Sequence, residues 1–347
     1  MRALTIDAHG GLEQLRVRDD VAPPALPASG AVRVRLRAAA LNRLDLWTIG
    51  GLPGVKITPP WILGADGMGV VAETSPDVTG FAIGDRVLIN PGLSCRSCEF
   101  CLRGEQSLCI RFGLLGEHHP GTLAEEIVLP AVNVRRVPKG VSDELAAAFP
   151  LCTLTAWRMC VTRAQVRAGD AVLIWGIGGG VALAALQVCK ARGAHVTVTS
   201  GNAEKLARAR TLGADDVIDH SATDVGAELR KRTGKRGVDV IVDSTGQRTF
   251  AQSLGGLARG GRLVICGGTT GPDLAMDVRR LFWNQWTIMG STMGNDAEFD
   301  AITAELAAGR LLPPIDSVHA LADGRAAFER LESGKQFGKV VVRIAND

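Results

Sequence analysis

Residues 171–182 read AVLIWGIGGGVA, and this stretch decides the fold. An apolar run, a glycine-rich turn and a second apolar run over Val181–Ala191 predict a strand, a tight loop and a helix. The chain from Ala171 to Cys189 carries no charge and approaches the length of a membrane span. Its central glycines favour the strand, turn and helix instead, so no membrane association is expected.

Strands and helices alternate beyond this turn. After the first helix, a second helical pattern covers Ala203–Leu212. The strand candidates are Val172–Trp175, His195–Thr199, Asp216–Ile218, Val238–Val242 and Leu263–Cys266. Such alternation is typical of a parallel, doubly wound sheet with helices on its faces. We therefore predict an α/β domain of the Rossmann type over residues 151–290, able to bind a dinucleotide.

The residues before this domain have a different hydrophobic pattern. Short alternating runs predict strands that suggest a barrel-like domain over residues 1–150, with a helix near Glu144–Ala148 capped by Ser142 or Asp143. The strand candidates are Ala31–Arg37, Gly69–Glu73, Arg86–Ile89 and Leu123–Leu129. Residues 291–347, with a helix near Glu298–Ala308 and a strand at Lys339–Ile344, are expected to return to this first domain.

Four cysteines mark a lobe over residues 90–112. Their spacing is C-x2-C-x2-C-x7-C, formed by Cys95, Cys98, Cys101 and Cys109. Thiolates this close in sequence close a tetrahedron around one zinc ion, and an all-cysteine site is structural because it leaves no open position. A disulfide framework, or four unrelated buried thiols, is the alternative. The remaining cysteines (Cys152, Cys160, Cys189, Cys266) lie in apolar stretches and predict small buried side chains, which suits a reducing cytoplasm.

Composition excludes several classes of function. The 39 basic residues against 36 acidic ones give a net charge of +3 without a basic run, so no nucleic-acid partner is expected. The chain has no tyrosine, which excludes mechanisms that use a catalytic Tyr. No signal peptide is recognised at the N-terminus, and a cytoplasmic protein is expected.

The glycine turn predicts the cofactor site. It departs from the strict G-x-G-x-x-G pattern and fits a longer variant with Gly176, Gly179, Gly180 and Ala182, whose backbone would approach a pyrophosphate. An NAD site favours an acidic residue at the end of the second strand. Here that place reads Thr199-Ser200-Gly201-Asn202, with Lys205 following, so Ser200, Asn202 and Lys205 favour the phosphate of NADPH over NADH. Lys205 as part of an ordinary solvated helix face is the alternative.

Several motifs together resemble the medium-chain dehydrogenase/reductase superfamily along essentially the full length. They are Gly64–Val71, Gly84–Val87, the four-cysteine lobe, Leu154–Trp157, the glycine turn, Gly213–Asp215 and Phe337–Val341. The resemblance implies a GroES-like β-barrel catalytic domain beside the Rossmann domain. It also implies cofactor contacts from Gly267, Gly268 and Lys339, a nicotinamide contact from Thr153 or Thr155, and a homodimer or homotetramer paired through Trp286–Met293.

The departures from the family pattern bear on function. Zinc alcohol dehydrogenases hold a catalytic zinc with a Cys, a His followed by Glu, and a later Cys or Asp. This chain has Asn42 at the first position, Ala65-Asp66 at the second, and Cys152 near the third. Asp66 and Cys152, with water and His118 or His119, are the alternative second metal site. The pattern Leu41-Asn42-x-x-Asp45 is instead similar to the zinc-independent quinone oxidoreductases.

These motifs predict an NADPH-dependent reductase of quinones, enones or related conjugated carbonyls. Conjugation spreads the charge that arrives with hydride, so hydrogen-bond donors suffice where an alcohol dehydrogenase needs zinc. Asn42 is the candidate donor to the substrate oxygen, and Asp45 orients its loop or relays a proton, although both residues also suit a helix cap. A zinc-type alcohol dehydrogenase and a cofactor-binding protein with little turnover are the alternatives.

Overall fold

The computed structural model describes residues 1–344. Its strands are β1 (Ala3–Ile6), β2 (Arg16–Arg18), β3 (Ala31–Ala40), β4 (Trp61–Ile62), β5 (Asp66–Thr74), β6 (Arg86–Ile89), β7 (Gly92–Leu93), β8 (Gly113–Leu114), β9 (Glu126–Pro130), β10 (Val134–Arg136), β11 (Ala171–Ile174), β12 (His195–Ser200), β13 (Asp216–Asp219), β14 (Val238–Asp243), β15 (Leu257–Ile265), β16 (Thr287–Gly290), β17 (Ile315–Ala320) and β18 (Lys339–Arg343).

The helices complete the element order. They are α1 (Arg43–Gly50), α2 (Glu99–Leu102), α3 (Asp143–Ala148), α4 (Pro150–Trp157), α5 (Gly180–Ala191), α6 (Ala203–Thr211), α7 (Val225–Arg232), α8 (Gln247–Gly256), α9 (Val278–Asn284), α10 (Asp296–Ala307) and α11 (Gly324–Glu332). Within residues 1–344, no helix has both the length and the apolar character needed to cross a membrane.

The chain divides into two compact units. The first comprises Met1–Leu151 together with the segment from Gly294 onward, and the second comprises Cys152–Met293. The C-terminal tail belongs to the first unit because β18 pairs antiparallel with β3.

The second unit is built on a parallel sheet of six strands in the order β13-β12-β11-β14-β15-β16. Central strand β11 forms because Val172, Leu173 and Ile174 are apolar and fully buried, as parallel strands covered on both faces require. Helix α8 contributes Phe250 and Leu254 to the core cluster that holds Leu173. The predicted doubly wound parallel sheet is confirmed.

Strand β15 is longer than the sequence pattern predicts. It begins at Leu257, whereas the predicted strand begins at Leu263. Gly260 and Gly261 interrupt the apolar pattern, and Gly260 has φ +68°, so the first half does not read as a strand from sequence. The pairing of β14 with β15 also shifts register between Val238 and Val240.

The first unit carries a mixed seven-stranded sheet with strand order β10-β6-β5-β3-β18-β17, and β9 also pairs with β3. Strand β3 alternates buried Val32, Val34 and Leu36 with half-buried or exposed arginines, which explains the predicted amphipathic strand. The strand predicted at Leu123–Leu129 begins only at Glu126. Small sheets β2-β1-β4 and β7-β8 complete the unit.

Candidate functional site

The four-cysteine lobe brings its thiols together. One ligand atom from each of Cys95, Cys98, Cys101 and Cys109 lies within 4.8 Å of all the others. The Cys109 sulfur accepts backbone N–H bonds from Cys95 at 3.2 Å and from Arg111 at 3.3 Å. All eight cysteines of the chain are free thiols, so the sulfurs converge as a group of four and not as disulfide pairs. This donor set fits a structural zinc ion with no open position.

The acidity of these thiols suits metal binding. Backbone N–H bonds from Ser97 and Cys98 lower the pKa of the Cys95 thiol to about 5. Backbone bonds from Cys101 and Ile110 lower the pKa of Cys98, whereas burial raises that of Cys101 to about 11. Thiolate is the form that binds zinc, and the loop backbone therefore stabilises this form at Cys95 and Cys98.

The lobe is tied to the helix that follows the second unit. Arg96 makes an ion pair with Asp296 at the start of α10. The Asp296 backbone N–H donates to Gln106 Oε1 at 3.3 Å. These contacts lie within the first unit and hold the metal lobe against its C-terminal segment.

In the second unit, the glycine turn leaves open space above the sheet edge. Gly176 has φ +71°, and a Cβ placed there would find only Thr245 Oγ1, at 3.8 Å. The turn is held from below, since Gly176 N–H donates to Thr199 Oγ1 at 3.1 Å and Ile177 N–H to the Thr199 carbonyl at 2.8 Å. Gly179 caps α5, of which Gly180 is the first residue and Ala182 a buried one. This cradle fits a dinucleotide pyrophosphate.

The residues after β12 form a compact turn. Ser200 Oγ accepts from the Asn202 backbone N–H at 3.1 Å, and Asn202 Oδ1 caps α6 by accepting from Lys205 N–H at 3.0 Å. Ser200 and Asn202 therefore hold the turn, and Lys205 stands at the N-terminal end of α6. His220, at the end of β13, was missed from sequence, and its Nδ1 lies 3.2 Å from Thr199 Oγ1.

The turns after β14 and β15, at the same edge of the sheet, also require glycine. A Cβ on Gly267 would lie 2.9 Å from the Ser244 carbonyl oxygen, and one on Gly246 2.9 Å from the Gly268 Cα. The turns after β14 and β15 thus approach each other too closely for side chains. Thr155 lies in α4 with its hydroxyl 3.5 Å from the Met293 sulfur, and it is buried.

In the first unit, three polar side chains form a buried ring. The Lys339 ammonium donates to Asp66 Oδ2 at 2.8 Å and to Asn42 Oδ1 at 2.5 Å. Asn42 Nδ2 donates to the same Asp66 oxygen at 2.9 Å. Lys339 is 3% exposed and Asp66 is fully buried. From sequence, Lys339 is predicted to contact the cofactor. In the structure, its ammonium forms hydrogen bonds with Asp66 and Asn42.

Asp45 supports this ring from the next turn of chain. Its Oδ2 accepts from the Asn42 backbone N–H at 2.7 Å, and its Oδ1 from Gly64 N–H at 3.0 Å. Asn42 is the N-cap of α1, and Asp45 is the third residue of that helix. The contacts by which Asp45 caps the helix are therefore the same contacts that orient the Asn42 backbone. Burial raises the pKa of the Asp45 carboxyl to about 7.

The oxygens that a second metal would need are already engaged. Asp66 Oδ1 accepts from Leu151 N–H at 2.7 Å, while its Oδ2 accepts from Asn42 and Lys339. His118 Nδ1 accepts from Leu114 N–H at 3.3 Å. Among residues 1–344, the four-cysteine lobe is the one group of His, Cys, Asp or Glu placed to hold a metal.

The raised pKa of Asp45 has a measurable consequence for stability. Burial raises its pKa from 3.8 to about 7, so the native state holds this proton more tightly than the unfolded chain does. This contribution to native stability is complete below about pH 4 and is lost, at a cost of a few kcal/mol, as pH rises through about 7. We expect urea unfolding to show this loss in the wild type and not in Asp45→Asn. Equal pH slopes in the two proteins would contradict the assignment.

Comparisons with known proteins agree with this geometry. A family model described as an alcohol dehydrogenase GroES-like domain matches residues 28–139, and one described as a zinc-binding dehydrogenase matches residues 180–308. A zinc-type alcohol dehydrogenase-like protein of Schizosaccharomyces pombe is 32% identical, covering 99% of each chain. An acryloyl-coenzyme A reductase of Metallosphaera sedula is 31% identical, again covering 99% of each. A crystal structure of an NAD-dependent alcohol dehydrogenase is 44% identical, with a TM-score of 0.95, covering 99% of this chain and all of that one.

Proposed function

This chain belongs to the medium-chain dehydrogenase/reductase superfamily, and from that premise we propose that it reduces conjugated carbonyls with NADPH. The proposed acceptors are quinones, enones and related compounds such as enoyl thioesters. The proposed catalysis uses no second zinc. The structural zinc of the four-cysteine lobe takes no part in the chemistry.

The observation that carries the proposal is the engagement of Asp66 by Lys339. Their ion pair of 2.8 Å is fully buried, and the same ammonium holds Asn42 Oδ1. A divalent cation using these oxygens would stand beside a fixed positive charge. At about 4 Å that repulsion is about 4 kcal/mol per unit of metal charge at an effective dielectric near 20. This fixed ammonium, together with Asn42 and Ala65 at positions where zinc alcohol dehydrogenases have Cys and His, supports a centre without a catalytic zinc.

An active centre without a Lewis acid suits a hydride acceptor whose conjugated double bond delocalises the negative charge that arrives with hydride. When bound, NADPH would supply a hydride to the β-carbon of an enone. The Asn42 amide is the proposed donor to the carbonyl oxygen, toward which the electron pair of the double bond would move. A proton from water completes the product, so the reaction consumes one NADPH and one proton. The proposed role of Asp45 is to orient the Asn42 backbone.

The coenzyme preference is a further part of the proposal. Ser200, Asn202 and Lys205 lie where the ribose of a dinucleotide is read, and the turn after β12 offers no carboxylate at positions 200–202. A 2′-phosphate would meet hydroxyl, amide and ammonium groups and no like charge. Gly176, Gly179, Gly180, Gly267 and Gly268 would admit the rest of the cofactor, and Thr155 would contact the nicotinamide.

A matched pair of acceptors tests the proposal. We expect the purified protein to reduce cyclohexenone at least about 100-fold faster than cyclohexanone, since only the first spreads its charge. NADPH should give a higher kcat/KM than NADH. Rapid reduction of cyclohexanone, abolished by a chelator while the four-cysteine zinc remains, would overturn the proposal in favour of a zinc-type alcohol dehydrogenase. Tight NADPH binding without turnover of any conjugated acceptor would indicate a cofactor-binding protein.

We propose that the protein acts on a small molecule and that it is a cytoplasmic homodimer or homotetramer. Strand β16 lies at the edge of the parallel sheet. It falls within Trp286–Met293, the segment expected to pair with a second copy. An exposed edge strand presents unpaired backbone groups that pairing would satisfy. Light scattering at several concentrations tests this state directly.

A further inference from the structure

We propose that Lys339 is a positioning residue that fixes the orientation of the Asn42 amide for the substrate oxygen. The proposal deepens the proposed function and rests on it. It differs from a cofactor role for Lys339, because the ammonium would act through Asn42. Three observations on the buried ring support it.

The first observation is the chemistry of the contacts. An ammonium has only donors, so the group of Asn42 that faces Lys339 at 2.5 Å is its oxygen. The other end of the amide must then be Nδ2, and it faces an acceptor, Asp66 Oδ2, at 2.9 Å. Lys339 and Asp66 together leave the amide one orientation. Asp66 Oδ2 and the Ala40 carbonyl oxygen are both acceptors and favour the same orientation, and the ammonium adds a donor that holds the oxygen end.

The second observation is the length of a further bond from Asn42 Nδ2. Asn42 Nδ2 also donates to the Ala40 carbonyl oxygen, at 3.3 Å, which is longer than its bond to Asp66. The longer bond is the weaker one and the more readily exchanged for a substrate oxygen. An ammonium on Oδ1 draws electron density from the amide and strengthens its N–H donors. In this proposal, the hydrogen held by Ala40 is the one that a substrate oxygen would take over.

The third observation is the rigidity of the frame. Ala40, Asp66 and Lys339 lie on three adjacent strands, with β3 between β5 and β18. Ala40 is the register partner of both Asp66 on β5 and Val341 on β18. Side chains on paired strands keep their separation, so Asp66 and Lys339 are held by strand pairing, and Asn42 follows β3 directly as the N-cap of α1. Such a frame can hold a donor in a fixed direction.

Variants that preserve burial test the proposal. Lys339→Met alone would leave the Asp66 carboxylate buried without its cation, so the double variant K339M/D66N removes both charges. Lys339→Arg keeps the charge. The matched control is R330M/D316N, which removes both charges of the ion pair between Arg330 and the buried Asp316, at 2.8 Å in the same unit. Each protein is assayed for kcat, KM and the dissociation constant of NADPH.

We expect K339M/D66N to lower kcat with cyclohexenone about 100-fold and to change the NADPH dissociation constant less than about threefold. Lys339→Arg should recover most of the activity, and R330M/D316N should retain it. A tenfold weaker affinity for NADPH with unchanged kcat would overturn the proposal and make Lys339 a cofactor ligand. Full activity in K339M/D66N would also overturn it.

A readout without turnover separates this proposal from the proposed function. The side-chain amide NMR signal of Asn42, assigned by its loss in Asn42→Ala, should exchange slowly with solvent in the wild type. In K339M/D66N it should shift and exchange faster, while R330M/D316N leaves it unchanged. An unchanged signal in K339M/D66N contradicts the positioning role. Absence of turnover in the wild type contradicts the proposed function alone.

Discussion

Replacement of Cys109 by serine is expected to lower the zinc content from about one ion per chain to near zero. Cys109 is buried, and among residues 1–344 the group of potential ligands at this lobe consists of the four cysteines, so its loss leaves three thiolates. Binding of a structural zinc contributes on the order of 10 kcal/mol to folding in small domains. We therefore expect the melting temperature to fall by about 10 °C or more.

Elemental analysis and calorimetry measure the two effects together. Cys160→Ser is the control, because Cys160 is fully buried in the second unit, with its sulfur 3.6 Å from that of Cys189. That variant should lose stability and keep its zinc. If Cys109→Ser still retained about one zinc from an initial two, a second metal would exist and the proposed metal-free centre would be wrong.

Features that depend on local spacing were predictable from the sequence. The four cysteines stand within one short loop, and the backbone turns needed to gather them are part of the same segment. The strand and helix on either side of the glycine turn could be predicted because the hydrophobic pattern changes from that of a strand to that of a helix over contiguous residues. Helix α3 begins at Asp143 with Ser142 as its cap, one of the two caps predicted. Each of these depends on neighbours in sequence.

The buried ring was not predictable in the same way. Lys339 and Asn42 are 297 residues apart, and their contact exists only because β18 pairs with β3. One signal was available: a lysine directly before the apolar run Val340–Val342 is buried by that strand and requires a carboxylate partner. Which carboxylate supplies the charge depends on strand order, which no local pattern encodes. The same reason explains why His220 was missed.

Replacement of Asn42 by alanine is the most direct test of the active centre. We expect kcat for cyclohexenone to fall by about 100- to 1,000-fold, since removal of one preorganised donor costs that much in sites of this type. The Lys339–Asp66 ion pair does not depend on Asn42, so the fold should survive. KM should change little if the bond strengthens mainly as charge develops on the oxygen. Steady-state kinetics measures both constants.

Asn133→Ala is the matched control for this variant. Asn133 is a buried asparagine of the same unit, and its side-chain amide donates to the carbonyl oxygens of Asn90 at 3.0 Å and Gly92 at 2.7 Å. Its loss should cost stability, about 1–3 kcal/mol for the unpaired buried carbonyls, while kcat stays near the wild-type value. Equal losses of kcat in the two variants would mean that Asn42 acts only through folding. A loss confined to Asn42→Ala would assign the donor to its amide, because stability is perturbed in both proteins and catalysis in one.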